Sequence, residues 1–236
     1  MRNKLFFALF AAASIMLLSS PVKAIGMGGY VTGSYSYYQW EYNSEYYSYY
    51  HQVPDVRFNS NGYKIGTGFI FDTGIANDRL FNYRLQIGVN KVKMYNNHSD
   101  IPNVDGYEYS IYNNFCFGFI RTPMFRIWAG PQFGFGFFDG TYDVKTESTY
   151  PDEDSNYLST TFASIGLIAG INIHFDYKLS LGIDGGFRYK YHSGDAGIDR
   201  NTYWEEIKGR EYETFIELSV LFRLNDQYES NTAASN

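Results

Sequence analysis

The sequence predicts an all-β fold, an eight-stranded antiparallel up-and-down transmembrane β-barrel. Three observations carry this reading. Apolar residues recur at every second position along eight segments, short turns alternate with long polar connections, and aromatic residues make up 20 % of the chain. The 236 residues include 24 Tyr, 20 Phe, 3 Trp and 23 Gly but only 6 Pro, and charged residues reach only 19 %. A composition so rich in rings excludes a disordered chain. With 19 Lys and Arg against 25 Asp and Glu, the formal charge is −6 and no basic stripe is available for a phosphate backbone. Nucleic acid is therefore not an expected partner.

At the N-terminus, Arg2 and Lys4 precede an apolar run over 5–18 that only Ser14 interrupts, and Pro21, Val22, Lys23 and Ala24 follow. The run falls short of the ~20 residues of a spanning helix. Residues 1–24 are expected to be a cleaved secretory signal peptide, 25–224 the barrel, and 225–236 a short polar C-terminal tail. Residue 25 is Ile rather than Cys, so no lipid-anchored N-terminus is expected. Loss of Arg2, Lys4 and Lys23 takes the formal charge from −6 to −9. Cys116 is the only cysteine, which excludes an internal disulfide framework.

The clearest segment is 81–90. Phe81, Tyr83, Leu85, Ile87 and Val89 share one face, and Asn82, Arg84, Gln86, Gly88 and Asn90 the other. The pattern returns over 107–120, 125–138, 179–192 and 211–224, and in weaker form over 28–42, 63–73 and 159–174. These stretches outrun the ~5–6 residues of a typical soluble strand and match the ~9–11 of a membrane-spanning one plus its flanks. The connections 73–80, 121–124 and 175–178 are short, whereas 43–62, 96–106, 139–158 and 193–209 are long and polar. That alternation puts both termini on a short-turn, periplasmic rim.

Two other architectures compete. Residues 155–175 carry no formal charge and contain Gly166 and Gly170 at the spacing of a membrane-helix pair. Yet only a period of two separates Asn156, Thr160, Ser164, Asn172 and His174 from their apolar neighbours. A secreted sandwich would also alternate, but its core does not call for rings concentrated near strand ends. Tyr35, Tyr37, Tyr38, Trp40 and Tyr42 precede the first long connection, with Tyr95, Tyr107, Tyr109, Tyr189 and Tyr191 near the others. All of these are read as an outer girdle at headgroup level.

At eight strands a barrel interior is about filled by its own side chains. Strand parity assigns Lys64, Arg84, Arg126, Arg188, Lys190 and Arg223 to the inside, together with Asp72, Glu108, Asp184, Glu211, Glu213 and Glu217. Because a lone buried charge is costly, these groups are expected to form a paired plug. The proposed lumen cluster is Arg188, Lys190, Glu211, Glu213, Glu217 and Asp184, with Arg188 and Lys190 reaching the glutamates across the last two strands. Glycines on the same face, among them Gly88, Gly134 and Gly186, leave room for the long side chains. As phosphate loops, Gly134 with Gly136 and Gly26 with Gly28 and Gly29 are weak, since no helix follows them.

The signal peptide, the run 126–132 (Arg-Ile-Trp-Ala-Gly-Pro-Gln), the run 186–191 (Gly-Phe-Arg-Tyr-Lys-Tyr) and the closing segment 217–224 together resemble the small eight-stranded outer-membrane barrels of the OmpX, OmpA-domain and opacity-protein type. The resemblance covers nearly the whole mature chain as a pattern. It implies a bacterial outer-membrane, cell-surface location and a monomeric barrel. Such barrels usually end on an aromatic residue, whereas this segment ends at Leu224.

One stretch invites a test for chemistry. His192-Ser-Gly-Asp-Ala-Gly-Ile198 loosely resembles a motif of the lipid A 3-O-deacylase barrels, but the nucleophile's place falls on Gly194, and Ser193 lies on the opposite strand face from His192. No catalytic, cofactor-binding or metal residue is therefore assigned; His51, His98 and His174 lack ligand spacing. Asp152, Glu153 and Asp154 make one connection acidic, a solvated charge run. The Tyr-rich stretch with Tyr46, Tyr47, Tyr49 and Tyr50 is the candidate surface-contact loop. The expected function is a non-enzymatic surface protein with a charge-plugged lumen and long loops, in contact with outer-membrane lipid or lipopolysaccharide and with a host or cell-surface ligand. The alternatives are a narrow OmpW-like, porin-like channel for small molecules and a lipid A-modifying enzyme.

Overall fold

The computed structural model describes residues 26–43, 56–75, 80–96, 103–142, 156–175, 178–198 and 205–223. Eight strands run in order: β1 (Gly26–Asn43), β2 (Val56–Asp72), β3 (Phe81–Asn96), β4 (Val104–Arg121), β5 (Phe125–Tyr142), β6 (Asn156–His174), β7 (Leu179–Ile198) and β8 (Glu205–Arg223). Each pairs antiparallel with the next, and β1 pairs with β8, from Gly26 opposite Arg223 to Asn43 opposite Glu206. The sheet is a closed up-and-down barrel. Closure satisfies the backbone amides that would otherwise cost several kcal/mol each in hydrocarbon. Residues 156–174, the stretch that also suited a membrane helix, form a strand hydrogen-bonded on both edges.

The outward positions carry a belt of large apolar side chains on every strand. Ile65 is 71 % exposed, Phe81 68 % and Leu167 67 %, and Val31, Phe119, Phe137, Phe187 and Ile216 extend the belt around the wall. Leaving one such side chain in water forgoes about 1.5–3 kcal/mol. Repeated on eight strands, that cost is untenable in water and absent in lipid. The wall is that of a transmembrane barrel.

Toward the long-connection rim the alternation continues but its sense inverts. Outward positions become polar, with Glu41, Arg57, Lys91, Lys93, Asp105, Lys208 and Arg210, while Trp40, Phe58, Val92, Met94, Val104 and Ile207 turn inward. The outer surface has left the hydrocarbon there, so the apolar side chains gather inside instead. The strands consequently run on through stretches expected to be loop, including 56–62, 104–106, 139–142, 156–158, 193–198 and 205–209. The long connections expected over 43–62, 96–106, 139–158 and 193–209 are shorter by these extensions.

At the opposite rim the turns are tight. Thr122 and Phe125 exchange hydrogen bonds around 122–124, and a 3-10 turn, Thr73–Ile75, leads from β2 toward β3. A bulge between Gly118 and Ile120 leaves Phe119 and Ile120 both facing out just before the turn into β5. The expected signal peptide, the tail beyond 224 and the tyrosine-rich stretch with Tyr46, Tyr47, Tyr49 and Tyr50 lie outside the described residues.

The outer girdle is corrected at two positions. Tyr35, Tyr95, Tyr107, Tyr109 and Tyr191 do face outward, and Tyr63, not part of the expected girdle, joins them with its ring centroid 5.3 Å from that of Tyr35. Tyr38 and Trp40 are instead 1 % and 3 % exposed inside the barrel, stacked on each other at 5.7 Å. Adjacent tyrosines at 37 and 38 cannot share a face in a strand. The register pairing Tyr37 with Tyr212 and Trp40 with Gly209 fixes which of them faces in.

Candidate functional site: the charged lumen

The inward positions build a layered filling. Midway along the barrel, Lys190 on β7 lies 2.8 Å from Glu213 on β8 and 2.8 Å from Glu108 on β4. Lys64 on β2 contacts the same Glu108 and reaches Glu211 at 2.6 Å. Two cations from different sides of the wall therefore share one carboxylate. Arg188 donates to Glu217 at 2.8 Å and to Gln132 at 2.5 Å, and its guanidinium lies between the rings of Tyr112 and Phe215, at 4.0 and 3.5 Å from their centroids. A buried guanidinium between two ring faces gains cation–π attraction that water would otherwise screen.

The backbone register places Arg188 opposite Glu213 and Lys190 opposite Glu211. The short ion pairs nevertheless run obliquely, Lys190 to Glu213 two places along β8 and Arg188 to Glu217 four places along, while the direct partners stand at 3.6 and 3.7 Å. Diagonal neighbours across a pair of strands lie within reach of long side chains.

Below this level Arg84 bridges Asp72 at 3.1 Å and Asp184 at 2.9 Å, over the ring of Trp128 at 4.4 Å. An amide chain runs between Gln132 and Glu217, both partners of Arg188, and meets the lower level where Asn114 donates to the Arg84 carbonyl at 3.3 Å. Gln132 donates to Asn114, Asn114 to Gln86, and Gln86 to Glu217. Nearest the short-turn rim, Arg126 donates to the Gly74 carbonyl and to Asn82 at 2.8 Å. Asp184, placed by parity with the glutamate cluster, thus belongs to the Arg84 group.

Above the charges, His192 stands 2.9 Å from Glu211 and 3.1 Å from Thr160. A carboxylate only accepts, so Nε2 carries the hydrogen toward Glu211, and in the neutral ring Nδ1 accepts from the Thr160 hydroxyl. The rings of Tyr38, Trp40 and Phe162 pack against His192, and Tyr38 and Trp40 belong to an apolar layer that includes Val92, Met94, Val104, Phe138, Leu158 and Ile207. A Cβ at Gly209 would meet the Trp40 ring at 2.3 Å, and one at Gly134 the Tyr112 ring at 2.2 Å, so these two positions accept only glycine beside those rings. The apolar layer is absent from the sequence-based expectation. Its signal is the inverted alternation of Lys91, Val92, Lys93 and Met94 in β3.

Ser193 faces away from His192, and its carbonyl accepts from Thr161 at 3.2 Å. Among the described residues no group of three or more His, Cys, Asp or Glu side chains is arranged to hold a metal ion. His174 pairs with Ser180 at 2.6 Å near the short-turn rim.

Set beside solved structures, the chain has the fold of a bacterial outer-membrane β-barrel. A major outer membrane protein from Thermus thermophilus aligns over 81 % of this chain and 99 % of its own, with a TM-score of 0.50 and 11 % identity. OprG from Pseudomonas aeruginosa aligns over 86 % and 96 %, with a TM-score of 0.49 and 9 % identity. The outer membrane protease OmpT from Escherichia coli aligns over 86 % and 98 %, with a TM-score of 0.42 and 8 % identity. No protein-family model matches the sequence, and no curated protein matches it. The chain is an eight-stranded transmembrane barrel of the outer-membrane type.

Proposed function

We propose that the chain is a structural surface protein of the outer membrane, exported by a signal peptide over 1–24, with a lumen closed by its own side chains and contacts made by the connections on its inverted rim. It acts without catalysis, as a monomer, and its Tyr46 to Tyr50 stretch is the contact surface for a host or neighbouring cell. The observation that supports this is the arrangement of Lys64, Glu108, Lys190 and Glu211, which ties β2, β4, β7 and β8 across the interior beneath an apolar layer. A transport path for small apolar molecules would need a greasy gully through the charges. A deacylase would need a hydroxyl that is both beside His192 and open to lipid, and Thr160 is buried.

Planar-bilayer recordings of the purified protein are expected to show no unitary conductance steps. Cells displaying a variant with all four tyrosines replaced by serine are expected to lose attachment while the barrel stays heat-modifiable on gels. Stable ohmic conductance, or attachment unchanged in that variant, overturns the reading.

A further inference from the structure

An outward-facing cleft of about 310 Å³ opens at the inverted rim where β1, β2, β7 and β8 meet. Its lining includes Gln39, Arg57, Asn59, Tyr191, Lys208 and Arg210. The register fixes its height. Tyr37, Tyr212 and Tyr189 form one row of the outer wall, Gln39, Arg210 and Tyr191 the next, and Glu41, Lys208 and Ser193 the one after. The cleft thus begins on the polar side of the tyrosine row, where a bilayer presents headgroups.

The charges there favour an anion. Arg57 pairs with Glu41 at 3.0 Å and Lys208 with Glu206 at 2.8 Å, all four side chains well exposed, and Arg210 makes no ion pair among the described residues. Among the lining side chains three are cationic and only Glu41 is acidic, with Glu206 and Asp195 opposite each other one row beyond, on a protein whose formal charge is −6. Exposed pairs of this kind are weak, so an incoming phosphate displaces them readily and gains charge-assisted, forked hydrogen bonds from arginine. The amides of Gln39 and Asn59 and the Tyr191 hydroxyl suit the hydroxyl groups of a sugar.

A second feature lies further down the same wall, in the apolar belt. Gly33 faces outward with open space where a side chain would stand, between Ile65 on β2 and Ile216 on β8. Along β1 the gap stands six residues below Gln39, past the outward Tyr37 and Tyr35, and Val31 and Leu218 follow further down the apolar belt. A free phosphate cannot span the stretch from Gln39 to Gly33, roughly 20 Å of strand at ~3.3 Å per residue, whereas an acyl chain runs down past the tyrosines and fills the gap.

We infer that this cleft binds the phosphorylated sugar headgroup of an outer-leaflet glycolipid, with an acyl chain running down the wall to the gap at Gly33. The inference rests on the outer-membrane reading above and names one lipid partner for it.

The test is native mass spectrometry of the folded protein released from phosphatidylcholine mixed micelles containing bisphosphorylated lipid A or its dephosphorylated form, with inorganic phosphate as a competitor. A bound bisphosphorylated lipid is expected, favoured about tenfold over the dephosphorylated form. Lys208→Gln with Arg210→Gln is expected to abolish that preference, whereas Lys91→Gln with Lys93→Gln, an equal loss of charge elsewhere on the rim, keeps it. Glu41→Lys adds a cation and is expected to strengthen binding, which covers the case of a double variant that fails to fold. The inference is overturned by no preference for the phosphates, by equal losses in the two double variants, or by inorganic phosphate displacing the lipid at matched concentration. A wild-type chain that never reaches a heat-modifiable folded state would instead contradict the barrel reading itself.

Discussion

Lys190 of β7 donates to both carboxylate oxygens of Glu108, at 2.8 and 2.9 Å, although β4 and β7 share no edge of the sheet. Lys64 reaches the same carboxylate from β2. Removing it leaves two ammonium groups buried with one shared partner fewer. Glu108→Gln is expected to destabilise the barrel by about 3–5 kcal/mol in urea titrations from lipid vesicles. Adding Lys190→Met to Glu108→Gln is expected to recover part of that loss, and strict additivity of the two would show that the contact carries no coupling.

Trp40 and Gly209 form a second coupled pair, because the indole fills the space a side chain on β8 would need. Gly209→Ala is expected to cost about 1–3 kcal/mol through overpacking. In a Trp40→Ala background the same change is expected to be nearly neutral. Equal costs in both backgrounds would place the indole elsewhere.

The outer wall predicts a dependence on depth. Leu167→Arg, in the middle of the apolar belt, is expected to cost about 2–4 kcal/mol on refolding into bilayers, and Tyr191→Arg, beside the headgroup cleft, about 0–1 kcal/mol. In detergent micelles the gap between the two should narrow. Indistinguishable costs in bilayers would contradict the position of the belt.

Cys116 reports on the filling. Its thiol is buried in the lumen with Trp128, Ile168 and Phe215. A water-soluble maleimide is expected to leave it unmodified in the folded barrel and to label it fully after urea unfolding. Rapid labelling of the folded protein would mean that water traverses the interior.

The barrel is legible because Phe81 to Val89 and Leu181 to Tyr191 display a period of two that no helix reproduces. Parity also identifies which long side chains share an interior. It is silent on contacts between strands distant around the wall, so nothing in the sequence names Glu108 as the common partner of Lys64 and Lys190. The girdle reading fails outright at Tyr38 and Trp40, where aromatic character suggests headgroup level and the register puts the rings inside. The strand ends are misjudged for a related reason. Alternation gives the period but not which face is wet, and that changes where Lys91, Val92, Lys93 and Met94 leave the hydrocarbon behind.

The pairing of β1 with β8 has a temporal consequence. The first-made strand has one edge with no mate until the last-made strand arrives, so no partial cylinder is self-sufficient. A chain arrested before residue 205 would present two long raw edges to its neighbours, and assembly must therefore be escorted, or rapid and concerted, if aggregation is to be avoided.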